Sequence, residues 1–324
     1  MSAIVVVGSI NADLMVTVER HPTPGETVPG TGGTISPGGK GANQALAAAL
    51  MGGDVALIGA VGDDDNAHLA LRYLKEAGVN LEHVTTRGNV TGLAVVAVDA
   101  RGENNIIVIP GANGEVDSAI LADAADIIEN AEVVVLQGEI PVETIAEAAR
   151  MTKRQLVVNL APVVPVAPEV LLKADPLVVN EYEGELALEL LREAGIVVGA
   201  DGAGVDGANA ADTTADTAGF VALAEALLAA GVPSVVMTIG AGGAVIATAK
   251  GTVTVPSPEV KVVDTTGAGD AFVGALATRL AAGDSLEDAA RFAVRMGAAA
   301  CTKAGAQSSY PRSAADLPPA SCRK

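Results

Sequence analysis

One rhythm runs through the chain and limits its fold more than any single motif. Short Val/Ile runs alternate with Ala/Leu/Glu segments: AIVVVGSI precedes ANQALAAALMGG, DVALIGAVG precedes AHLALRYLKEAG, and AEVVVLQGEI precedes VETIAEAARM. QLVVNLAP, PLVVNEYEGELALELL, SVVMTIGAGG and DAFVGALATRLAAG continue it. Continuous apolar strands between helical segments imply an α/β fold, with a mostly parallel central sheet and helices on both faces. Ligands of such sheets bind beyond the carboxyl ends of the strands. The loops to inspect are therefore SINAD, GDDD, QGE, NLAP, NEYE and TIGAGG.

Two stretches break the rhythm. Residues 14–36 alternate and carry Pro, Gly and Thr, and residues 91–109 read as two strands joined by DARGEN. Both are expected to be antiparallel strands outside the main sheet, forming a small β lid over the strand ends. Its apolar face would invite dimerisation; an ordinary hairpin at the sheet edge is the plainer alternative. Residues 1–13, 37–90 and 110–312 would then make the main nucleotide- and substrate-binding domain, with 313–324 as a C-terminal tail. Residues 197–217, rich in Gly, Ala and Asp, read as a surface loop.

Charge excludes some functions. Twenty Lys and Arg stand against 39 Asp and Glu, a net charge of −19, with no basic run. A nucleic-acid binder needs a basic face, so neither nucleic acid nor an anionic membrane is an expected partner. Any bound phosphate must be held by local amides, Mg2+ and a few basic side chains. Cys301 and Cys322 make no disulfide framework, and three His residues show no metal-ligand spacing. The start, MSAIVVVGSINAD, reads as a first strand with no basic leader. No apolar stretch reaches the ~18 residues of a membrane span, and a soluble, cytoplasmic protein is the expectation. Aromatic residues are 2% of the chain and Trp is absent, so Ala, Val, Leu and Ile must fill the core.

Several short motifs could carry chemistry. GAGVDG (202–207) matches a dinucleotide fingerprint by letter, but it neither sits at the first strand–helix turn nor opens an apolar helix. PGGKGANQA (37–45) fails as a Walker A loop, since Gly41 follows Lys40 where Ser or Thr is needed. Its Gly-rich turn still opens a helix, so exposed amides and Asn43 could meet a polar ligand. Asn11 and Asp13 in GSINAD share one face if extended and suit neighbouring hydroxyls, although capping would also explain them. NEYE (180–183) and TIGAGG (238–243) follow strands, where turn chemistry and a nucleotide triphosphate are both open readings. DTTGAGD (264–270) is the sharpest: the amides of Gly267, Ala268 and Gly269 would converge at a helix N-terminus, favouring an anion beside Asp270.

With GGKGANQA and DTTGAGD in this order, roughly 225 residues apart, the chain resembles the ribokinase (PfkB carbohydrate kinase) family. GSINAD, PGET, QGE, NEYE and TIGAGG support the resemblance, which runs from about residue 3 to 312. It implies a ribokinase-like fold and an ATP-dependent sugar phosphotransferase, acting on O5 of D-ribose. Asp270 would be the base, and Gly267, Ala268 and Gly269 the anion hole. Asn11, Asp13, Gly39, Lys40, Gly41, Ala42, Asn43 and Glu139 would line the sugar pocket. Asn180, Thr238, Ile239, Gly240, Ala241, Gly242, Gly243, Gly269 and Val294 would meet ATP, with Glu183 near the Mg2+ shell. A monovalent-cation site, suited to K+, would use Asp264, Thr266, Ala300, Lys303, Gly305 and Ser309. A homodimer through the lid is implied as well. Gly242 stands where a longer side chain is usual, Ala67 where Gly is, and Val294 where a polar residue is. Another sugar or a nucleoside (2-deoxyribose, fructose, adenosine) is the alternative substrate.

Overall fold

The computed structural model describes residues 2–101, 103–196 and 213–320. Its strands are, in chain order, β1 (Ile4–Val7), β2 (Asn11–Val18), β3 (Gly30–Gly38), β4 (Val55–Val61), β5 (Val84–Thr86), β6 (Gly92–Val98), β7 (Asn104–Ile109), β8 (Val133–Leu136), β9 (Gln155–Asn159), β10 (Leu177–Val179), β11 (Ser234–Thr238), β12 (Ala244–Thr248) and β13 (Gly251–Val255). Nine of them form one sheet in the order β13-β12-β11-β10-β9-β8-β1-β4-β5. Every pairing from β11 to β5 is parallel, and β12 and β13 close one side as an antiparallel hairpin.

Period-2 side-chain geometry explains why the strands are unbroken apolar runs. Ile4, Val6, Leu57, Val135 and Val157 enter one core layer, while Val5, Val7, Ile58, Val134 and Val158 enter the other. The first layer packs on the helices Lys40–Leu50, Ala268–Ala281 and Leu286–Ala300, the second on Val142–Met151 and Glu181–Glu193 among others. Small residues replace aromatic bulk by letting backbones approach. A Cβ on Gly274 would lie 2.4 Å from the Gln44 carbonyl oxygen and 2.6 Å from the Ala47 Cβ. Thr278 Oγ1 crosses the same seam to the Ala48 carbonyl at 3.1 Å. The Lys40 and Ala268 helices are therefore in backbone contact, and this sets the spacing of the groups at their N-termini.

The parallel register puts the carboxyl ends of the strands on one edge. Val7 pairs with Ile58 and Leu136, Leu136 with Val158, Val178 with Asn159, and Val179 with Met237. Gln137, Asn159, Asn180 and Thr238 thus share an edge with the turn after β1.

The remaining strands form a four-stranded sheet, β3-β2-β6-β7. Its strands extend past the expected 14–36, beginning at Asn11 and reaching Gly38. The central pair β2–β6 is parallel, not antiparallel as the sequence suggested. Both strands follow parallel members of the main sheet, β1 and β5, so they leave it in the same direction. Ile35, Ile106, Ile107, Val108 and Ile109 are 42–65% exposed. A helix starts at Thr213, inside the stretch read as a loop to 217; the Ala/Leu run behind it outweighs the Asp and Gly composition that suggested a loop. GAGVDG and Cys322 lie outside the described residues. Among the described residues no helix is long and apolar enough to cross a membrane.

Candidate active site

Gly267 caps the Ala268–Ala281 helix in the left-handed region, φ 73°. A Cβ there would meet the Ala306 Cβ at 2.7 Å and the Tyr310 hydroxyl at 2.8 Å, so only Gly fits. The Tyr310 hydroxyl donates to the Gly267 carbonyl at 2.9 Å. Burial, and then the Asp270 charge, push that phenol well above its ordinary value, which keeps it a donor. Among the described residues the amides of Gly267 and Gly269 have no hydrogen-bond partner. The Ala268 amide does not join them as expected: it closes a turn onto the Thr265 carbonyl at 3.1 Å. Two unpartnered N–H groups at a helix N-terminus are donors of the kind an anion would require.

Asp270 stands in the first turn of this helix, 6% exposed. Asn43 Nδ2 donates to its Oδ2 and Gln44 Nε2 to its Oδ1, both at 2.9 Å. Those donors arrive from the Lys40–Leu50 helix. Its N-cap, Gly39 (φ 86°), lets that helix N-terminus press on the turn after β1; a Cβ on Gly39 would meet the Asn11 amide nitrogen at 2.8 Å. Gln44 and Gln307, both fully buried, were not singled out by sequence. Each is an ordinary polar letter in a helix or loop until the fold places it.

Across the cleft, Glu139 accepts from the Lys40 amide at 3.0 Å and from Ser9 Oγ at 2.5 Å. Asn11 is held by Asn113, whose Nδ2 donates to Asn11 Oδ1 at 2.7 Å while its Oδ1 accepts from the Ile10 amide at 2.9 Å. Asn113 was missed; the turn-forming PGANGE around it was the available signal. Asp13 packs so closely on β3 that a Cβ at Gly38 would lie 1.9 Å from its Oδ2. Its Oδ1 is buried with no partner among the described residues. Burial, then the charges of Glu139 and Asp270, push Asp13 up to about 7, against the Ala94 amide and Lys40. The Asp270 charge raises Lys40, with Glu139, Glu183 and Asp13 adding to it against burial, so the ammonium stays charged among four carboxylates.

A cleft of about 190 Å3 opens beside Asp270, lined by Lys40, Asn180, Glu183, Thr238, Gly267 and Gly269 among others. Asn180 and Glu183 form a reciprocal capping box: Asn180 Oδ1 accepts from the Glu183 amide at 2.9 Å, and Glu183 Oε2 from the Asn180 amide at 2.8 Å. Burial raises Glu183 despite that amide and Lys40. Gly240 and Gly243 (φ 54° and 104°) shape the turn after β11, and a Cβ at Gly243 would strike the Val255 carbonyl oxygen. Val294, expected at the nucleotide, is buried on Leu286–Ala300; Ala42, expected at the sugar, is fully buried; and the Ile239 side chain lies against Gly242.

Asp264 gathers the loop before the Gly267 turn. Its Oδ1 accepts from the Thr266 amide (2.9 Å) and hydroxyl (2.7 Å), its Oδ2 from the Gly305 amide (2.7 Å). Burial would raise this carboxyl, but the Gly305 and Thr266 donors outweigh it and hold it below its ordinary value. Ser309 is buried, its hydroxyl donating to the Ala306 carbonyl at 2.8 Å, and Ala300 ends its helix next to Cys301. Lys303 is exposed.

Residues 1–313 match the pfkB family carbohydrate kinase model. The ribokinase of Schizosaccharomyces pombe is 35% identical over 323 residues, covering 96% of this chain and 95% of that one. The crystal structure of ribokinase from Thermotoga maritima superposes with a TM-score of 0.82 at 31% identity, over 96% of both chains. Arabidopsis thaliana ribokinase, solved with ribose and ATP, gives 0.79 at 30% identity, again over 96% of both. The chain belongs to the pfkB family of carbohydrate kinases.

Proposed function

We propose that this site transfers the terminal phosphoryl group of ATP to the O5 hydroxyl of D-ribose, giving D-ribose 5-phosphate and ADP. The observation that carries the reading is Asp270, buried in a helix's first turn beside the unpartnered Gly267 and Gly269 amides, with Lys40 facing it. Ribokinase relatives over nearly the full chain, one of them solved with ribose and ATP, support the choice of substrates.

In this reading Asp270 accepts the O5 proton as the O5–phosphorus bond forms and the bond to ADP breaks. A carboxylate suffices as the base when the proton moves late in a loose transition state. The Gly267 and Gly269 amides stabilise charge on the phosphoryl oxygens, each donor worth about 10²–10³ in rate, while the Ala268 amide holds the turn. Asn11, Asp13, Asn43, Glu139 and the Gly39–Gly41 turn hold the sugar; the orphaned Oδ1 of Asp13 is the acceptor a ribose hydroxyl would satisfy. Asn180, Thr238 and the Gly240–Gly243 turn face the nucleotide. Glu183, which caps its own helix and lines the cleft, would hold an outer position around a Mg2+ ion that would neutralise the ATP phosphates. Asp264, held anionic by three donors, fits one end of a monovalent-cation site completed by Thr266, Ala300, Lys303, Gly305 and Ser309; such an ion would fix the loop charge. The small sheet carries Asn11 and Asp13, so its closure brings the sugar ligands in and keeps water out. Its exposed Ile106–Ile109 strand serves as the contact between two copies.

Initial rates with ATP and Mg2+ over ribose, 2-deoxyribose, fructose and adenosine, with and without K+, test the reading. Ribose should give the highest kcat/KM, with phosphorus on O5 by NMR. Preference for adenosine or fructose would overturn it.

A further inference from the structure

Three buried amides that the mechanism leaves unused, Gln44, Gln137 and Gln307, join with Asn43 and Asn159 into one lattice around Asp270. Gln137 Nε2 donates to Gln44 Oε1 at 2.8 Å, and Gln44 Nε2 donates in turn to Asp270 Oδ1 and to Asn159 Oδ1, both at 2.9 Å. On the other side Gln307 Nε2 donates to Asn43 Oδ1 at 2.9 Å, and Asn43 Nδ2 to Asp270 Oδ2. Gln44, Gln137 and Gln307 are 0–2% exposed. The direction of every bond follows from one fact: a carboxylate only accepts. Gln44 and Asn43 must turn their NH2 groups to Asp270, so their carbonyl oxygens face back and require donors. Gln137 and Gln307 supply them, and the oxygens left over, Gln137 Oε1 and Gln307 Oε1, are buried with no partner among the described residues. Gly8 makes room for the first, since a Cβ there would lie 2.0 Å from it.

Chains of amides that end in orphaned oxygens are poor packing, because an apolar side chain of the same shape would leave nothing unsatisfied. What they accomplish is to fix both ends of one carboxylate, from two directions, leaving the second lone pair of each oxygen for a proton. We propose that Gln44, backed by Gln137, and Gln307, acting through Asn43, are positioning residues that aim Asp270 at the substrate hydroxyl. The inference rests on the reading of Asp270 as the base.

The test measures kcat, both KM values and calorimetric ribose and ATP binding for the full chain and for Gln44→Met, Gln137→Met, Gln307→Met, Gln44→Met/Gln137→Met and Asp270→Asn. Misaiming a reacting group by ~1 Å costs about 10²-fold. Gln44→Met should therefore lower kcat by roughly 10- to 100-fold while ribose and ATP still bind as to the parent. Gln137→Met should lower it less, and the double variant no further than Gln44→Met alone, because Gln137 acts only through Gln44. Gln307→Met should lower kcat and raise the ribose KM together, since Asn43 also faces the sugar. Parent kcat in Gln44→Met, or losses that multiply in the double variant, would overturn the proposal. If Gln44→Met fails to fold, Gln137→Met and Gln307→Met decide, as neither touches Asp270: parent kcat in both overturns it. An inactive Asp270→Asn beside a fully active Gln44→Met removes the lattice and leaves the kinase reading standing. An active Asp270→Asn removes both.

Discussion

Replacing Gly274 by Ala would test whether the seam between two helices sets the geometry of the site. The new methyl carbon would lie 2.4 Å from the Gln44 carbonyl oxygen, 2.6 Å from the Ala47 Cβ and 2.8 Å from the Ala48 nitrogen. Two of the three obstacles are backbone, and neither can rotate away. Restoring ordinary contact requires the helices Lys40–Leu50 and Ala268–Ala281 to part by roughly 1 Å. The Asn43 and Gln44 bonds to Asp270 span that same pair of helices at 2.9 Å, and a further ~1 Å takes them past hydrogen-bonding range. Turnover should fall about 10²-fold. Stability should respond less. Overpacking costs about 1–3 kcal/mol, while Ala in place of Gly returns up to ~1 kcal/mol of helix propensity. The remainder, roughly 1–2 kcal/mol, lowers the midpoint by about 2–3 °C in a chain of this length. A coupled ADP-release assay and differential scanning calorimetry read the two effects. Gly32→Ala is the control, since among the described residues nothing lies within 4 Å of a Cβ there. Parent kcat with an unchanged or raised midpoint in Gly274→Ala would refute the reasoning.

Other consequences can be checked with the same assays. Asp270→Asn should bind ribose and ATP yet lose about 10²–10⁴ in kcat, and near-parent turnover would remove it as the base. Asp13, facing Glu139, Asp270 and Lys40 and pushed up to about 7 from an unfolded value of 3.8, keeps its proton in the folded state between those limits. Its contribution to stability therefore declines as pH rises toward 7, while ribose, needing an acceptor there, should show a KM that falls as pH rises through about 7. In Asp13→Asn that KM dependence should vanish; an unchanged slope assigns it elsewhere. A site built to bond two hydroxyls rejects an analogue lacking one, so 2-deoxyribose should have a lower kcat/KM than ribose. Asp264→Asn should abolish activation by K+ while sparing ribose binding, and a full K+ response in that variant would place the cation elsewhere.

The large sheet was legible because burial on both faces writes itself as unbroken Val/Ile runs, as in Ile4–Val7 and Val133–Leu136. The turn that opens the Ala268–Ala281 helix with Asp270 in its first turn was legible because DTTGAGD stacks small residues before a carboxylate, which a simple cap does not require. What stayed hidden depends on contacts between distant segments. Gln44 and Gln307 are 263 positions apart and acquire roles only when two helix N-termini meet. The loss of the Ala268 amide to Thr265 follows from the left-handed turn at Gly267, which composition does not specify. The parallel pairing of β2 with β6 reflects where each strand leaves the main sheet, and local alternation says nothing about that. Val294 was named by resemblance alone, and its burial on Leu286–Ala300 is a matter of packing that no local motif announces.

A crystal structure with D-ribose, ADP, Mg2+ and a planar aluminium fluoride tests the central claim most directly. The account predicts the planar group within hydrogen-bonding distance of the Gly267 and Gly269 amides, in line between ADP and O5, with O5 against an Asp270 oxygen. A planar group held away from that helix N-terminus, or a sugar presenting another hydroxyl to Asp270, would contradict it.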